Sequence, residues 1–435
     1  MRRSLRLLRR LLAGIGFVVL LVAALVSGVL WLTLPPRSQQ ARIPGLTGPV
    51  DIGFDADGIP RIHAASAIDA AAALGFVHAR DRLFQMEMMR RAASGRLSEI
   101  AGPRTLTYDR TMRTLGLRRQ ALASYQALPA DARAMLDAYA RGVNAWIAGH
   151  GRFSAPEFLF VGRPEPWQPV DSLLWGETMG LWLSLNWRTE LSRHALEPRV
   201  PEQKIDELWP AVPGDGRPQA RLTPARQHAD AARTLLDILP HFPQPYALPR
   251  TASNAWAVDG RHTATGSPIL AGDPHLAFGF PGIWYLARIE TPQGVLAGAT
   301  APGVPFLVLG HNGHIAWTFT TTGADVQDVF IETPAGDGRY QTPDGPRPFA
   351  AREERIKVRG EPDQLLTVRE TRHGPVISDL VGAKQVLAVS MANLAPDNTA
   401  AAGLLALNEA TDVDQAGKAA AMITSPVQNL LVADR

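Results

Sequence analysis

The residues Thr-Ala-Ser-Asn-Ala-Trp-Ala-Val stand at positions 251–258, and Gly-Ser-Pro-Ile-Leu-Ala-Gly-Asp-Pro-His-Leu stand at 266–276. Positions 255–258 and 269–271 are short apolar runs, separated by a segment rich in glycine, threonine and serine. This pattern predicts two strands that form a hairpin. The residues before Ser253 are small, so its backbone is able to enter a tight turn, but a Ser-Asn pair alone indicates only turn chemistry.

Two further blocks accompany this hairpin. Gly-Phe-Val-His-Ala-Arg-Asp-Arg-Leu-Phe-Gln-Met stands at 75–86, followed by Arg90-Arg91 and Gly95-Arg96-Leu97, and Gly-His-Asn-Gly-His-Ile-Ala-Trp stands at 310–317. Together with the Ser253 and Asp273-Pro274-His275-Leu276 segments, these blocks resemble the penicillin acylase family of N-terminal-nucleophile hydrolases. The resemblance implies an α+β fold, built as a four-layer αββα sandwich.

In that family a precursor cuts its own chain before such a serine, which implies a cut between Ala252 and Ser253. A serine hydroxyl is a poor nucleophile near neutral pH and needs a base within hydrogen-bonding reach. A free α-amino group has a pKa of about 7.7 to 8.0, so the new N-terminus of Ser253 would serve as that base. Before the cut the same nitrogen is an amide and has no such capacity.

The resemblance also implies roles for other residues of the site. The backbone N–H of Thr321 would donate to the oxyanion, and His275 would support the nucleophile region. Met179, Leu183 and Leu276 would line an apolar pocket for the acyl group. Met179 and Leu183 lie in a helix predicted over 170–196, where their spacing equally fits an ordinary core face. His311 is more typical of a structural turn residue than of a general base.

Asp325 and Asp328 are two carboxylates separated by Val326 and Gln327. Such spacing is common in solvated turns, although carboxylates and backbone carbonyls are also the ligands that Ca²⁺ takes. The resemblance implies a structural calcium site formed by these two acids, the Gln327 carbonyl and Glu190. The ion would then join the two subunits. No organic cofactor is expected.

Composition excludes several classes of function. The chain of 435 residues has no cysteine, which rules out disulfides, thiolate catalysis and cysteine metal sites. Five of its basic residues are arginines within the first ten positions, and without them Lys+Arg falls from 44 to 39 against 41 Asp+Glu. The main body therefore has no basic surplus, and no nucleic-acid partner is expected.

Those arginines precede an apolar run at 11–34, which is long enough to span a bilayer. Basic residues before the run predict a signal anchor in a bacterial inner membrane, with the body in the periplasm. A cleaved signal peptide with a secreted or periplasmic product is the alternative. The predicted organisation is an anchor at 1–36, an α-subunit-like region at 37–213, a spacer at 214–252, and the N-terminal part of a β-subunit at 253–435.

The predicted function is hydrolysis of a small N-acyl amide, such as a β-lactam side chain or an N-acyl-homoserine lactone, by an α/β heterodimer made from one precursor. The family's β-subunits continue past the position of residue 435 and carry a second oxyanion donor there, so a truncated or degenerate chain is expected. Two alternatives stay open. One is a non-catalytic, membrane-tethered protein that binds acylated small molecules, and the other is a Ser-His-Asp hydrolase with His275 or His311 as base.

Overall fold

A computed structural model describes residues 2–184, 186–210, 226–239, 253–276 and 279–435. This part of the chain contains helices in its first half and mainly strands in its second half. The mixture confirms the α+β class. The stacking of the elements as a four-layer sandwich stays a prediction.

The α-helices of the described residues follow one another over both halves of the chain. They are α1 (Arg2–Trp31), α2 (Ala67–Ser94), α3 (Ser98–Ala101), α4 (Leu106–Leu115), α5 (Leu117–Ala127), α6 (Ala130–His150), α7 (Phe158–Val161), α8 (Pro169–Ser184), α9 (Asn186–Leu196), α10 (Glu202–Leu208), α11 (Arg226–Ile238), α12 (Ala400–Glu409) and α13 (Val413–Ala420). The helix predicted over 170–196 corresponds to α8 and α9, and Leu185 between them lies outside the described residues.

The strands lie mostly after Ser253. They are β1 (Asp51–Phe54), β2 (Pro60–His63), β3 (Asn254–Val258), β4 (Ile269–Asp273), β5 (Tyr285–Thr291), β6 (Gly294–Thr300), β7 (Leu309–His311), β8 (Ile315–Thr321), β9 (Gln327–Glu332), β10 (Arg339–Tyr340), β11 (Arg347–Pro348), β12 (Ala350–Ile356), β13 (Gln364–Thr371), β14 (Gly374–Pro375), β15 (Val386–Met391) and β16 (Gln428–Asp434). The predicted hairpin is confirmed as β3 paired with β4.

The largest sheet has seven strands in the order β1-β2-β5-β6-β7-β8-β16. Its pairs are antiparallel except for β2 with β5, which run parallel. The sheet therefore joins strands from both sides of Ser253. β12, β13 and β14 form a second sheet, and β9 pairs with β15.

Helix α1 is separate from this body. Its segment from Arg9 to Trp31 has a mean hydropathy of 2.6 and buries none of its residues in the protein. By length and composition it is able to cross a membrane. The helix ends at Trp31, three positions before the end of the apolar run at 11–34.

Helices α2 and α6 pack closely because each presents a glycine to the other's backbone. A Cβ on Gly75 would overlap the carbonyl oxygen of Tyr139, and one on Gly142 would overlap that of Ala72. Ser66 caps the start of α2, where its hydroxyl accepts from Asp69 N–H at 3.1 Å.

A buried ion-pair network then fixes α8 against α2. Arg90 donates to Asp171 Oδ2 at 3.0 Å and to Glu87 Oε2 at 2.7 Å, and Arg91 donates to Glu87 Oε1 at 2.6 Å. The four side chains are nearly inaccessible to solvent. Because Asp171 is in the first turn of α8, the network orients the helix that carries Met179 and Leu183.

The regions before and after the spacer share their hydrophobic cores. Trp175 of α8 packs in one cluster with Ile283 and Phe306, and Leu181 packs in another with Leu387. Of the predicted spacer at 214–252, the structure describes 226–239, which is almost entirely helix α11. The remaining spacer residues, with Ala252 and hence the predicted cut, lie outside the described residues.

Candidate active site

Ser253 is half-buried and directly precedes strand β3. Asn254 pairs with Asp273 at the open end of the hairpin, which brings the segment after Asp273 beside Ser253. The hairpin lies against β8, where a Cβ on Gly272 would come within 2.6 Å of Thr318 Cβ. This close approach is possible because position 272 is glycine.

A cavity of about 150 Å³ opens beside Ser253. An apolar cavity of that volume accommodates a group about the size of a benzene ring. Five residues predicted for the site line it, and they come from separated parts of the chain: Met179, Leu183, Ser253, Leu276 and Thr321. Most of the remaining lining is apolar, and includes Trp175, Ile283, Val304 and Phe306. The structure therefore brings the nucleophile candidate and the acyl-pocket candidates together.

The ladder around β8 determines where the backbone of Thr321 points. Asn312 N–H donates to the Ile315 carbonyl at 3.1 Å, so these two residues form a hydrogen-bonded pair of the β7-β8 hairpin. Every second residue of an antiparallel strand directs its backbone N–H and C=O to the same side. Thr321 is six residues after Ile315, so its N–H and C=O point to the β7 side of β8, away from β16. Strand β7 ends before it reaches Thr321. The orientation suits a donor to a group bound beside Ser253.

The two histidines considered as possible bases, His275 and His311, lie outside the cavity lining. His275 Nε2 is 2.9 Å from Asp273 Oδ2, and the Asp273 side chain is 74% exposed. His311 is exposed at the end of β7. Neither is among the described residues that line the cavity. His275 thus contacts the β4 end of the hairpin, and its predicted support of the nucleophile region stays a prediction.

Asn312 organises the turn after His311. Its Oδ1 accepts from His314 N–H at 3.0 Å and from Ile315 N–H at 2.9 Å. Its Nδ2 donates to the carbonyls of Asn408 and Ala410. Asn312 therefore has a structural role in this turn.

A buried chain of hydrogen bonds supports the loop that forms one wall of the cavity. Burial and the nearby charge of Arg82 lower the pKa of His78 to about 3, so its ring is neutral. Tyr139 Oη lies 2.7 Å from His78 Nδ1, in hydrogen-bond contact, and accepts from Gly303 N–H at 2.8 Å. Trp175 Nε1 donates to the adjacent Pro302 carbonyl at 2.7 Å. These bonds fix the segment next to Val304 and Phe306.

Glu177 is a cavity residue that the sequence motifs do not predict. Its side chain is 1% exposed, and it lines the cavity together with Ser124 and Asn398. Burial raises the pKa of Glu177 to about 8, against smaller opposing effects of hydrogen bonds from Asn398 and Ser124. In the sequence, Glu177 is a single acid within the apolar run at 173–183, and this pattern alone does not predict that the acid is buried.

The predicted metal ligands also lie together. One carboxylate oxygen from each of Glu190, Asp325 and Asp328 lies within 4.8 Å of the others. Glu190 Oε2 also accepts from Val329 N–H at 2.6 Å. Gln327 is two residues before Val329 on β9, so its carbonyl faces the same edge of that strand. These oxygen donors have the chemistry that a hard cation requires.

Comparisons with known proteins extend these observations. A family model described as Penicillin amidase matches residues 49–435. The chain is 39% identical to Penicillin acylase 2 proenzyme of a Pseudomonas species, over 79% of this chain and 46% of that protein. It is 31% identical to Acyl-homoserine lactone acylase QuiP of Pseudomonas fluorescens, over 95% of this chain and 53% of that protein. The chain thus spans about half the length of these curated relatives.

A solved structure of thermostable penicillin G acylase from Alcaligenes faecalis is also similar to part of the chain. The sequence identity is 24%, and the similarity covers 42% of this chain and 33% of that one. The TM-score is 0.38, which is too low to add to the description of the fold.

Proposed function

Because this chain belongs to the penicillin amidase family, we propose that it is the part of an amide hydrolase that carries the nucleophile and the acyl pocket. Family membership confirms the resemblance predicted from the motifs. The proposed reaction transfers an acyl group from an amine to water, with an N-acyl amide such as a β-lactam side chain or an N-acyl-homoserine lactone as substrate. One observation carries the proposal: Ser253 shares a cavity with Met179, Leu183 and Leu276.

The first proposed event is autoproteolysis between Ala252 and Ser253. It frees the α-amino group of Ser253, which then accepts the proton of Oγ as Oγ attacks the substrate carbonyl carbon. The C–N bond breaks, the leaving amine takes up a proton, and the acyl group stays on Oγ as an ester. Water activated by the same α-amino group then hydrolyses the ester and releases the acid.

The negative charge that develops on the substrate carbonyl oxygen requires hydrogen-bond donors. We assign one of them to the backbone N–H of Thr321, an assignment supported by its direction away from β16. Loss of one oxyanion donor typically lowers kcat by about 10²- to 10³-fold. His275, paired with Asp273, would hold the segment beside the nucleophile in position.

The apolar wall from Met179, Leu183 and Leu276 suits an acyl group with a hydrophobic portion. Burial of such a portion contributes about 0.8 kcal/mol for each CH₂ group removed from water. This favours acyl chains or rings over small polar acids. The wall therefore supports substrates with a medium-sized hydrophobic acyl group.

After the cut, the two chains would remain associated as an α/β heterodimer. The shared clusters around Trp175 and Leu181 contain residues from both sides of Ser253, so separation would expose apolar surface. Glu190, Asp325, Asp328 and the Gln327 carbonyl would hold a Ca²⁺ ion between the chains. The ion would supply structural cross-linking there, and it takes no part in the acyl transfer.

We also propose that helix α1 anchors the protein in a bacterial inner membrane with the body in the periplasm. The arginines before the apolar segment favour a cytoplasmic N-terminus. A chain purified from periplasm that lacks its first residues would instead indicate a cleaved signal peptide.

The function is tested with purified full chain and two anilides, N-phenylacetyl-p-nitroaniline and N-hexanoyl-p-nitroaniline. Wild type is expected to release p-nitroaniline from at least one of them, and Ser253→Ala is expected to release none. Ser267→Ala, which changes an exposed serine of the β3-β4 connection, is the matched control and should retain activity. A chain that stays uncut, hydrolyses neither anilide and still binds phenylacetic or hexanoic acid would favour the non-catalytic alternative.

A further inference from the structure

Helix α11 lies inside the interval at 214–252 that the sequence predicts as a spacer, yet one of its faces is part of the protein core. Ala232 and Leu235 are completely inaccessible to solvent, and Leu239, directly after the helix, is 2% exposed. Arg233, on another face of the helix, is exposed. Because the buried residues recur at intervals of three and four, α11 is an amphipathic helix whose apolar face is covered by the rest of the protein.

The cover of α11 comes from both sides of the predicted cut. Trp187 and Leu191 of α9 belong to the same buried cluster as the apolar face of α11, and so does Ile377. Ile377 directly precedes the turn Ser378–Val381, and both this turn and α9 pack against α11. Since α9 precedes Ser253 and the turn follows it, α11 connects the two parts that the cut would make into separate chains.

Helix α9, which α11 covers, also contacts strand β9. Glu190 Oε2 accepts from Val329 N–H at 2.6 Å. The next residue of α9, Leu191, is 1% exposed and packs in the cluster that contains α11. Helix α9 is therefore held by β9 and by α11 together, and removal of α11 would uncover Leu191 and take away one of these two supports.

A segment is discarded from a protein only if it is cut and then leaves its binding surface. Proteases act on locally opened chain, so a cut within α11 requires that the docked helix first unfold. If cuts instead occurred on both sides of α11, its release would return apolar surface of the helix and of its cover to water, which is unfavourable. Both steps are therefore opposed by the same packing.

We propose that α11 is a clasp that stays bound to α9 and to the 378–381 turn after the chain is cut, so that the mature protein retains residues 226–239. The segment that processing discards, predicted at 214–252, would then exclude α11. The statement about the mature protein rests on the proposed cut before Ser253. The docking of α11 is independent of that cut.

The composition of the mature protein is the first test. Full-length wild type is purified by size exclusion, and its fragments are identified by mass spectrometry under denaturing conditions. Residues 226–239 are expected in one copy for each chain that begins at Ser253, either within the α-chain or as a bound fragment. Mature protein without these residues overturns the proposal.

Limited digestion with trypsin tests the docking of α11 in the uncut Ser253→Ala chain. The bond after Arg233 should resist cleavage while the helix is docked, although the arginine itself is exposed. Leu235→Asn, which places an amide in the buried cluster, is expected to speed this cleavage at least about tenfold. Asp237→Asn introduces the same side chain on the exposed face of the helix and is the matched control. Equal cleavage rates in the parent and Leu235→Asn contradict the proposal.

An internal reference keeps this test decisive if Leu235→Asn does not fold, as judged by circular dichroism. In the parent, the bond after Arg261, in the exposed β3-β4 connection, should be cut at least about tenfold faster than the bond after Arg233. Faster cleavage after Arg233 than after Arg261 would show that α11 is not held in place.

Hydrolysis of N-hexanoyl-p-nitroaniline by the wild-type sample separates this inference from the proposed function. Cut protein that retains α11 and does not hydrolyse the anilide would contradict the proposed function and leave the clasp intact. Active protein that lacks residues 226–239 would contradict the clasp alone. A wild-type chain that stays uncut would contradict the proposed function, and the protection of the bond after Arg233 then decides whether α11 is a clasp.

Discussion

The backbone of Gly272 lies directly against the side chain of Thr318, and a Cβ on Gly272 would overlap Thr318 Oγ1. This contact places the hairpin that begins after Ser253 onto strand β8, which also carries Thr321. Strand β8 in turn pairs with β16 along its whole length. The position of the nucleophile relative to the large sheet thus depends on a residue without a side chain.

Gly272→Ala should therefore destabilise the protein and displace the hairpin. Overpacking of this kind typically costs about 1 to 3 kcal/mol. The free energy of unfolding is measured by urea denaturation in the Ser253→Ala background, so that every variant is a single chain. Gly417→Ala is the matched control, because Gly417 has open space around it in the exposed part of α13 and alanine is favoured in helices. Equal stability of Gly272→Ala and the parent would contradict the close contact.

Tyr139→Phe should weaken the wall of the cavity. The phenol joins His78 Nδ1 to Gly303 N–H, and its removal leaves the buried N–H without a partner. The expected loss is about 1 to 3 kcal/mol of unfolding free energy, with weaker binding of hexanoic acid. Tyr108→Phe is the control, since no hydrogen bond of its hydroxyl occurs among the described residues, and it should change stability by less than about 0.5 kcal/mol. If Tyr139→Phe leaves the free energy of unfolding unchanged, the hydrogen bonds of the Tyr139 hydroxyl do not contribute to stability.

The raised pKa of Glu177 predicts how the stability of the protein depends on pH. Its pKa is about 8 in the folded protein and near 4.5 when the chain is unfolded, so the folded state holds the extra proton between these values. Stability should therefore fall as pH rises through this window, and the loss is complete above pH 8. Glu177→Gln should be more stable than its parent at pH 9 by on the order of a few kcal/mol, with a smaller difference at pH 5. Thermal melting across this range provides the measurement, and parallel curves for both proteins would exclude a raised pKa.

Calcium should stabilise the folded chain through the three acids near β9. A ligand at 100 times its Kd adds about 2.7 kcal/mol to the unfolding free energy. Millimolar Ca²⁺ should raise the melting temperature of wild type, and Asp328→Asn should greatly reduce this shift. Asp337→Asn, at an exposed turn residue outside the group, should leave it unchanged. A Ca²⁺ effect that is equal in all three proteins would argue against this site.

Much of the site was accessible from the sequence because local patterns coincide with the family's motifs. The hairpin after Ser253 and the grouping of Glu190 with Asp325 and Asp328 both agree with the expectation. Met179 and Leu183 line the cavity, although their spacing equally fitted a core face. The hairpin followed from short-range sequence patterns, whereas the roles of Met179, Leu183, Glu190, Asp325 and Asp328 were implied by the resemblance to the family.

The burial of Glu177 could not be predicted from such local patterns. Its partners Ser124 and Asn398 are 53 and 221 positions away in the chain, so its burial depends on how α5, α8 and the segment before α12 pack. Helical periodicity describes one helix at a time and does not report which neighbours cover it.

The most direct test of the account is the mass and N-terminal sequence of the purified full chain. Wild type should yield two fragments, one of which begins with Ser-Asn-Ala-Trp at Ser253, and Ser253→Ala should stay as one chain. Amide hydrolysis should appear only in the cut form, because only that form has a free amine at Ser253. An uncut chain that hydrolyses the anilides at an undiminished rate would contradict the central claim.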